Sequence, residues 1–267
     1  MPKILDTLEF NSFIDQASAA PAAGRELAAL QESHREREIL FTLQGETDFV
    51  LNGKKFSSVP GQAFFIDGWV PHQMSYAKLK NDIVHIWVHL HARKLFAMSY
   101  ELHCGEVLHS SGMWSFPAGM LELIDQRWQR AKEEDDPEIR KNWYSSIVNL
   151  LVDELRFQGA SNKPSQNKDD EISVWIKNYI SMNYGRDSSM AELERLTGYH
   201  RRHIMRKFKK ETGMTIGEYI NCVRRGFVAD AGKRITQKEI AFQLGFKSPA
   251  AYWLWHQRNV KKPGDKI

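Results

Sequence analysis

The stretch that decides the fold runs from Ser189 to Gly213: SMAELERLTGYHRRHIMRKFKKETG. It opens with Ser189-Met-Ala-Glu192, a capping-box pattern in which the hydroxyl accepts from the amide three residues on and the glutamate reaches back. Gly198 stands where the chain has to reverse, a position that favours positive φ. A second helical run follows, with Ile204 and Phe208 four apart on its core side. Capped short helix, glycine turn and second helix make a helix-turn-helix. One such match is weak, but the chain supplies another, shifted by 47 residues. Thr236-Gln-Lys-Glu239 repeats the capping box, Leu193 maps to Ile240, Gly198 to Gly245, Tyr199 to Phe246 and Phe208 to Trp255. Two copies in one register predict an all-α double helix-turn-helix domain over residues 171–267.

Charge points the same way. The formal net charge is only +4, yet residues 171–267 hold 19 Lys and Arg against 9 Asp and Glu, leaving 18 against 24 in residues 1–170. An acidic part joined to a basic part suggests that the basic part meets a polyanion; chance segregation is the alternative. At 42% hydrophobic and 26% charged the composition is that of a globular protein, and 267 residues suit two domains better than one. No run nears ~18 apolar residues and no secretory pattern opens the chain. A cytoplasmic protein without a membrane partner is therefore expected. Cys104 and Cys222 are too few and too far apart to suggest a disulfide framework or a zinc cluster. Gly-x-Gly-x-x-Gly and Gly-x-Ser-x-Gly patterns are absent and no paired carboxylates stand out, so no enzyme is expected.

Residues 172–246 resemble the DNA-binding region of AraC/XylS-type regulators. The likeness rests on Asn178-Tyr-Ile180 with Asn183-Tyr184, on Gly198 through Phe208-Lys-Lys-Glu-Thr-Gly213, on Glu218-Tyr219-Ile220 and Arg224, and on Glu239-Ile-Ala241 with Leu244-Gly-Phe246. It implies sequence-specific binding to double-stranded promoter DNA and, for an activator, contact with RNA polymerase. Three places depart from the family pattern. Glu194 stands where a small residue is preferred at the helix crossing. The connecting segment Arg224–Gly232 carries Gly226 and Gly232 in place of a leucine-rich run. The end of the second unit, Trp255-His-Gln-Arg258 and Lys262-Pro-Gly264, only approximates the family motif.

A recognition helix presents residues near its N-terminus to base edges in the major groove. In the first unit these are His200, Arg201, Arg202, His203 and Arg206, the arginine fork matching guanine O6 and N7. Lys207, Lys209 and Lys210 suit phosphate contacts; a merely solvated basic face is the alternative. In the second unit Ser248 reads as the N-cap and Pro249 as the first helical residue, which exposes Lys247, Ala250, Trp253, Leu254 and Gln257. That face is far less basic, so the first unit is expected to contribute more to recognition.

The polar stretch Gln158–Asp170 reads as a linker between this domain and an N-terminal domain at residues 1–157. Within the latter, Pro117–Phe157 has helical spacing in two pieces. The first carries Leu121, Ile124 and Trp128; the second follows Asp136 as N-cap and Pro137, with Ile139, Trp143, Ile147, Leu150, Leu151 and Leu155. Residues from about 35 to 92 read as short strands: Glu38–Leu43, Asp48–Leu51 into an Asn52-Gly53 hairpin turn, Ala63–Ile66 after a Pro60-Gly61 turn, and Ile83–Leu90. In the last, period two places His85, Trp87 and His89 on one face and Val84, Ile86, Val88 and Leu90 on the other. A small barrel or sandwich follows, making the chain α+β overall.

Residues from about 34 to 91 also resemble the family's cupin-like sensor barrel, through Leu43-Gln-Gly45, Val59-Pro-Gly61 and Pro71-His72. The resemblance implies a small-molecule effector, often a sugar, at Thr42, Lys54, Met74, His85 and Trp87; Lys54 and Met74 differ in type from the arabinose-sensing pattern. A solvent-facing sheet side bearing His85 and His89 is the alternative. No cofactor is implied. His34, His72, His85, His89 and His91 lie in or beside the strands, but no early strand carries His-x-His followed by Glu, so no metal is expected. The two helices resemble dimerisation helices, with Trp128, Trp143, Ile147 and Leu151 forming a homodimer seam or else packing on their own chain. A ligand-responsive regulator of carbohydrate-related genes is the leading reading. A cupin-type enzyme with a vestigial DNA-binding tail and a DNA-binding module without an effector are the alternatives.

Overall fold

A computed structural model describes residues 4–15, 31–74, 81–91, 94–103, 106–161, 168–232 and 234–260. The chain divides into two units, Met1–Lys163 and Pro164–Ile267. The division falls inside the polar stretch 158–170, of which residues 162–167 lie outside the described residues, as do Cys104 and Lys262-Pro-Gly264.

The first unit begins with a short helix, α1 (Ile4–Thr7), and continues in strands β1 (Ser12–Ile14), β2 (Arg37–Gln44), β3 (Thr47–Leu51), β4 (Lys54–Ser58), β5 (Gln62–Ile66), β6 (His72–Met74), β7 (Ile83–His91), β8 (Lys94–His103) and β9 (Glu106–Ser115). A six-stranded sheet has the order β1-β5-β2-β7-β8-β9, and a three-stranded sheet the order β4-β3-β6. Asn52 (φ 50) and Gly53 (φ 80) supply the two left-handed positions of the β3–β4 hairpin. Gly45 (φ 78) is required twice over, because a Cβ there would sit 2.3 Å from the Asp82 carbonyl oxygen. The large sheet runs on to Ser115, past the expected end near residue 92. Leu95, Phe96, Ala97 and Met98 of β8 are all buried, so both faces of that strand are covered and no alternation marks it in sequence.

Two cores flank the large sheet, as the parity of β7 requires. On one face Ile39, Phe41, Phe65, Val84, Ile86 and Val88 pack against α2 (Met120–Glu133) and α3 (Pro137–Ser161) through Ile124, Trp128, Ile147 and Leu151. On the other face Leu40, Phe64, Ile66 and Trp87 meet Phe49 and Leu51 of the small sheet. No ladder joins the two sheets among the described residues, so two facing sheets stand where a closed barrel was expected. The chain is nonetheless α+β.

Helix α3 starts as predicted: Asp136 Oδ1 accepts from the amides of Glu138 (2.8 Å) and Ile139 (3.2 Å). It continues beyond Gln158, whose Nε2 donates to the Ser115 carbonyl (2.9 Å) and to Glu154 (2.7 Å). The packing corrects the dimer seam. Trp128, Ile147 and Leu151 are fully buried beneath the sheet of their own chain. A side chain with no exposed surface offers nothing to a second copy. Trp143 is partly buried, with the Arg130 guanidinium 5.1 Å from its ring centre.

The second unit comprises α4 (Lys168–Met182), α5 (Met190–Thr197), α6 (Arg201–Thr212), α7 (Ile216–Ala231), α8 (Gln237–Gln243) and α9 (Pro249–Asn259). Its buried side chains include Ile176, Ile180, Leu193, Ile204 and Phe208 around the first helix pair, and Phe227, Ile240, Leu244 and Tyr252 around the second. Of the two glycines in the connecting segment, only Gly226 lies inside α7 and costs it about 1 kcal/mol relative to alanine. Gly232 is the C-cap. No helix among the described residues is long and apolar enough to cross a membrane.

Candidate nucleic-acid interface

The two helix-turn-helix units share a plan and differ at their caps. In both, the first helix ends near a left-handed glycine, Gly198 (φ 73) and Gly245 (φ 72), as the repeat predicts. Thr236 and Glu239 form a closed capping box: the Thr236 amide donates to Glu239 at 2.6 Å, and the Glu239 amide donates to the Thr236 hydroxyl at 3.3 Å. The box expected at Ser189 forms only by half. Ser189 Oγ accepts from the Glu192 amide at 3.2 Å, but the Glu192 carboxylate turns instead to Arg195, at 2.6 and 3.0 Å. That contact also holds the Glu192 carboxyl below its usual range. A further closed box, Thr215 with Glu218, starts α7. Its signature, Thr215-Ile-Gly-Glu218, was available in the sequence.

Glu194 explains itself at the turn. Its repeat mate Ala241 is buried, the small side chain that the crossing of α8 and α9 admits. Glu194 stays partly exposed and reaches the first turn of α6, where its Oε1 accepts from the Arg201 amide at 2.7 Å. Its Oε2 lies 3.5 Å from Arg201 Nε. The unpaired amides and positive end of a helix N-terminus favour a carboxylate there. His200 Nδ1 accepts from the Arg202 amide at 3.3 Å, so His200 is an N-cap before it is a DNA contact.

The remaining candidates on α6 sort by exposure. Arg201, Arg202, Arg206, Lys209 and Lys210 are exposed. Arg202, Arg206 and Lys209 fall at i, i+4 and i+7, a single stripe along the helix. His203 is partly buried and stacks on Tyr199 (5.0 Å between centroids, 15° between planes). Lys207 pairs with Glu211 at 3.2 Å. On α9, Ser248 Oγ accepts from the Ala251 amide at 3.2 Å, and Lys247, Ala250, Trp253 and Leu254 are exposed, with Gln257 partly so. Trp255 turns inward: its Nε1 donates to Asn221 Oδ1 on α7 at 2.7 Å and its ring packs on Phe246. The last helix therefore keeps its packing despite its departures in sequence.

Arg224 is the residue whose role the sequence did not disclose. Its Nη2 donates to the carbonyls of Gly185 (3.0 Å) and Leu244 (3.1 Å), and its guanidinium lies 4.7 Å from the Phe246 ring centre. It ties the turn after α4 to the turn of the second unit. Burial lowers its pKa, which leaves an arginine charged at neutral pH all the same.

No family model matches the chain. It is 29% identical over 93 residues to the probable transcription factor PqrA of Proteus vulgaris, an overlap of 33% of this chain and 72% of that protein. The paired helix-turn-helix units and this similarity both point to the transcription-factor class. Two solved structures of ToxT from Vibrio cholerae strain SCE256 align over most of this chain. An apo variant covers 88% of this chain and 90% of its own, at 12% identity and a TM-score of 0.28. An unsaturated fatty acid-bound form covers 86% and 85%, at 13% identity and 0.27. Scores this low establish no common fold.

In the first unit four of the five effector candidates border the space between the sheets. Thr42 faces His85 across the β2–β7 ladder, and Leu40 faces Trp87. Thr42 Oγ1 is hydrogen-bonded to Ser58 Oγ, and Met74 packs beside Phe49. His85 is fully buried; desolvation pushes its pKa down to about 3, so it is neutral at pH 7. Lys54 stands apart, exposed at the hairpin with Nζ 5.1 Å from the Phe56 ring centre. Trp87 does not present an open plate to a sugar, because Phe49 (6.3 Å) and His89 (6.4 Å, stacked) flank its ring.

Proposed function

We propose that this chain is a sequence-specific transcription regulator that reads double-stranded DNA chiefly through α6. One observation carries the reading: the second helix of a capped helix-turn-helix exposes Arg202, Arg206 and Lys209 along one stripe. Arg202 and Arg206 suit the O6/N7 edge of guanine in the major groove, and Lys209 and Lys210 the flanking phosphates. The matching face of α9 offers Ala250, Trp253 and Leu254, which suit thymine methyls better than guanine edges. Similarity to a protein named as a probable transcription factor supports the same class. The test is anisotropy titration of the full chain on duplexes selected from a random pool, repeated across salt. The reading requires enrichment of a defined sequence and a steep fall of affinity with salt. Selection that returns no motif rejects it.

A small effector held between the sheets is the second part of the reading, supported by Thr42, His85 and Trp87 on one wall. No observation favours a carbohydrate over other small molecules. A ligand that binds the folded state raises the melting temperature, so a thermal-shift screen with and without DNA separates an effector-responsive regulator from a module without one.

A further inference from the structure

Glu38 is 6% exposed, on the face of β2 that looks between the sheets, and three imidazoles converge on it. His34 comes from the segment before β2, His72 from β6 and His89 from β7, and each is between 3% and 6% exposed. His89 Nδ1 stands 2.8 Å from Glu38 Oε1, His34 Nε2 3.5 Å from the same oxygen, and His72 Nε2 3.2 Å from Oε2. The other nitrogens of His34 and His72 face carbonyl oxygens, of Glu36 at 3.2 Å and of Val70 at 2.9 Å. A carbonyl oxygen only accepts, so both Nδ1 atoms donate. For His34 Nε2 to donate to Glu38 as well, its ring must carry the second proton. The need is also electrostatic, because a carboxylate buried this deeply is costly unless a positive charge stands beside it. His34 is well placed to supply that charge, since Glu36 Oε2 lies 3.9 Å from its Nδ1. Burial by itself lowers the pKa of the ring, but Glu38, Glu36 and Glu32 outweigh it and raise it to about 9. Burial likewise raises the Glu38 carboxyl, while His34, His89 and hydrogen bonding from His34 and His72 hold it well below its usual range. His91 faces Glu36 at 3.7 Å; it is pushed down to about 4, chiefly by burial, and is neutral at pH 7.

We propose that this cluster is a proton-held latch: an imidazolium on His34, clamped to the Glu38 carboxylate, holds the segment before β2, and β6 with it, against β2, and loss of the proton releases both. Backbone contacts make the segment and β6 act together. Glu32 and His72 exchange hydrogen bonds of 2.8 and 2.9 Å, and the Trp69 amide donates to the His34 carbonyl at 2.6 Å. Since β6 belongs to the three-stranded sheet and β2 to the six-stranded one, the latch fastens one sheet to the other. Its direction follows from linkage. A ring with a pKa of about 9 when clamped and 6.5 when released contributes its full stabilisation below pH 6.5 and loses it as pH rises through 9. The carboxylate works in the opposite sense, and its contribution is lost only as pH falls well below 4.5. The latch is therefore closed at neutral pH and opened by base. Strand β6 also carries Met74, which borders the space between the sheets, so the latch sets how firmly one wall of that space is held.

The latch belongs to the first unit and depends on neither the DNA-binding nor the effector reading. The test follows amide exchange at Glu32 and His72 in the full chain, corrected for intrinsic base catalysis, together with imidazole 15N shifts. With the ring at about 9 closed and 6.5 open, protection of both amides should fall roughly sevenfold per pH unit between about pH 7 and 8.5. At pH 7 both His34 nitrogens should show protonated shifts, and they should titrate together with the loss of protection. Glu38→Gln should abolish the pH dependence, while His103→Gln, which alters an exposed imidazole bonded to Asp82, should retain it. Protection that is independent of pH in the wild type overturns the proposal, as does a His34 ring that is neutral at pH 7. A dependence that survives Glu38→Gln, or that His103→Gln removes, overturns it too. If Glu38→Gln fails to fold, the wild-type exchange and 15N titration decide.

Discussion

Replacing Glu194 separates two roles of one carboxylate. Oε1 caps the Arg201 amide at 2.7 Å, and Oε2 stands 3.5 Å from Arg201 Nε. Glu194→Gln keeps an oxygen able to accept from the amide and removes the charge; Glu194→Ala removes both. Losing a helix cap costs about 0.5–2 kcal/mol, and His200 still caps the Arg202 amide, so about 1 kcal/mol is expected for Ala and little for Gln. For a helical unit of this size that is roughly a 4–8 °C drop in melting temperature. On DNA the sign reverses. An exposed ion pair is worth little, so releasing Arg201 scarcely costs the protein anything while freeing a cation at the groove. One added phosphate contact steepens the slope of log K against log salt by about 0.9. Withdrawing a carboxylate ~4–8 Å from phosphate is worth about 0.5–1 kcal/mol in water, a gain of roughly two- to fivefold at low salt. Glu194→Gln should therefore melt like wild type, bind its selected duplex more tightly and show the steeper slope. Weaker binding by Glu194→Gln would refute this restraint and show that the pair positions Arg201 for its base instead. An unchanged melting temperature in Glu194→Ala would refute the cap.

Four further outcomes follow from the structure. Arg202→Ala and Arg206→Ala should each cost about 1–3 kcal/mol of specific binding, against little for Gln257→Ala in the same titration; equal losses would mean that the two units read DNA alike. Arg224→Met should destabilise the second unit by roughly 2–4 kcal/mol in urea unfolding, since it strands the carbonyls of Gly185 and Leu244; a loss under about 0.5 kcal/mol would show that the tie is dispensable. Gly45→Ala combines a left-handed φ, itself costing about 1–2 kcal/mol, with a 2.3 Å overlap on a backbone oxygen, so a loss of at least ~2 kcal/mol is expected and a wild-type melting curve would contradict it. His85 is held at about 3 against an ordinary 6.5, so the unfolded chain takes up that proton first. Its contribution is full above pH 6.5 and shrinks as pH falls toward 3, by about 2 kcal/mol at pH 5. His85→Gln should flatten the stability profile in that window, and an unaltered profile would show that His85 is not the group titrating.

The helical unit was legible because its signals are local. Capping residues, positive-φ glycines and i, i+4 core pairs lie within one or two turns of one another, so the 47-residue repeat fixes both units before any tertiary contact forms. The parity of Ile83–Leu90 and the Asn52-Gly53 turn were legible for the same reason, since period two and hairpin chemistry are properties of adjacent residues. Tertiary structure decided the rest. Strand β8 escaped notice because a strand covered on both faces shows no alternation. Trp128, Ile147 and Leu151 form an apolar stripe whichever surface covers them, and only the packed chain shows that surface to be its own sheet. Glu38, His34, His72 and His89 read as scattered polar residues in sequence, because what gathers them is the approach of separate segments. Even in the double helix-turn-helix, the sequence determined that Glu194 was out of pattern. Only the fold showed why the position tolerates it, since the vacant amide of Arg201 lies seven residues along the chain and one turn of geometry away.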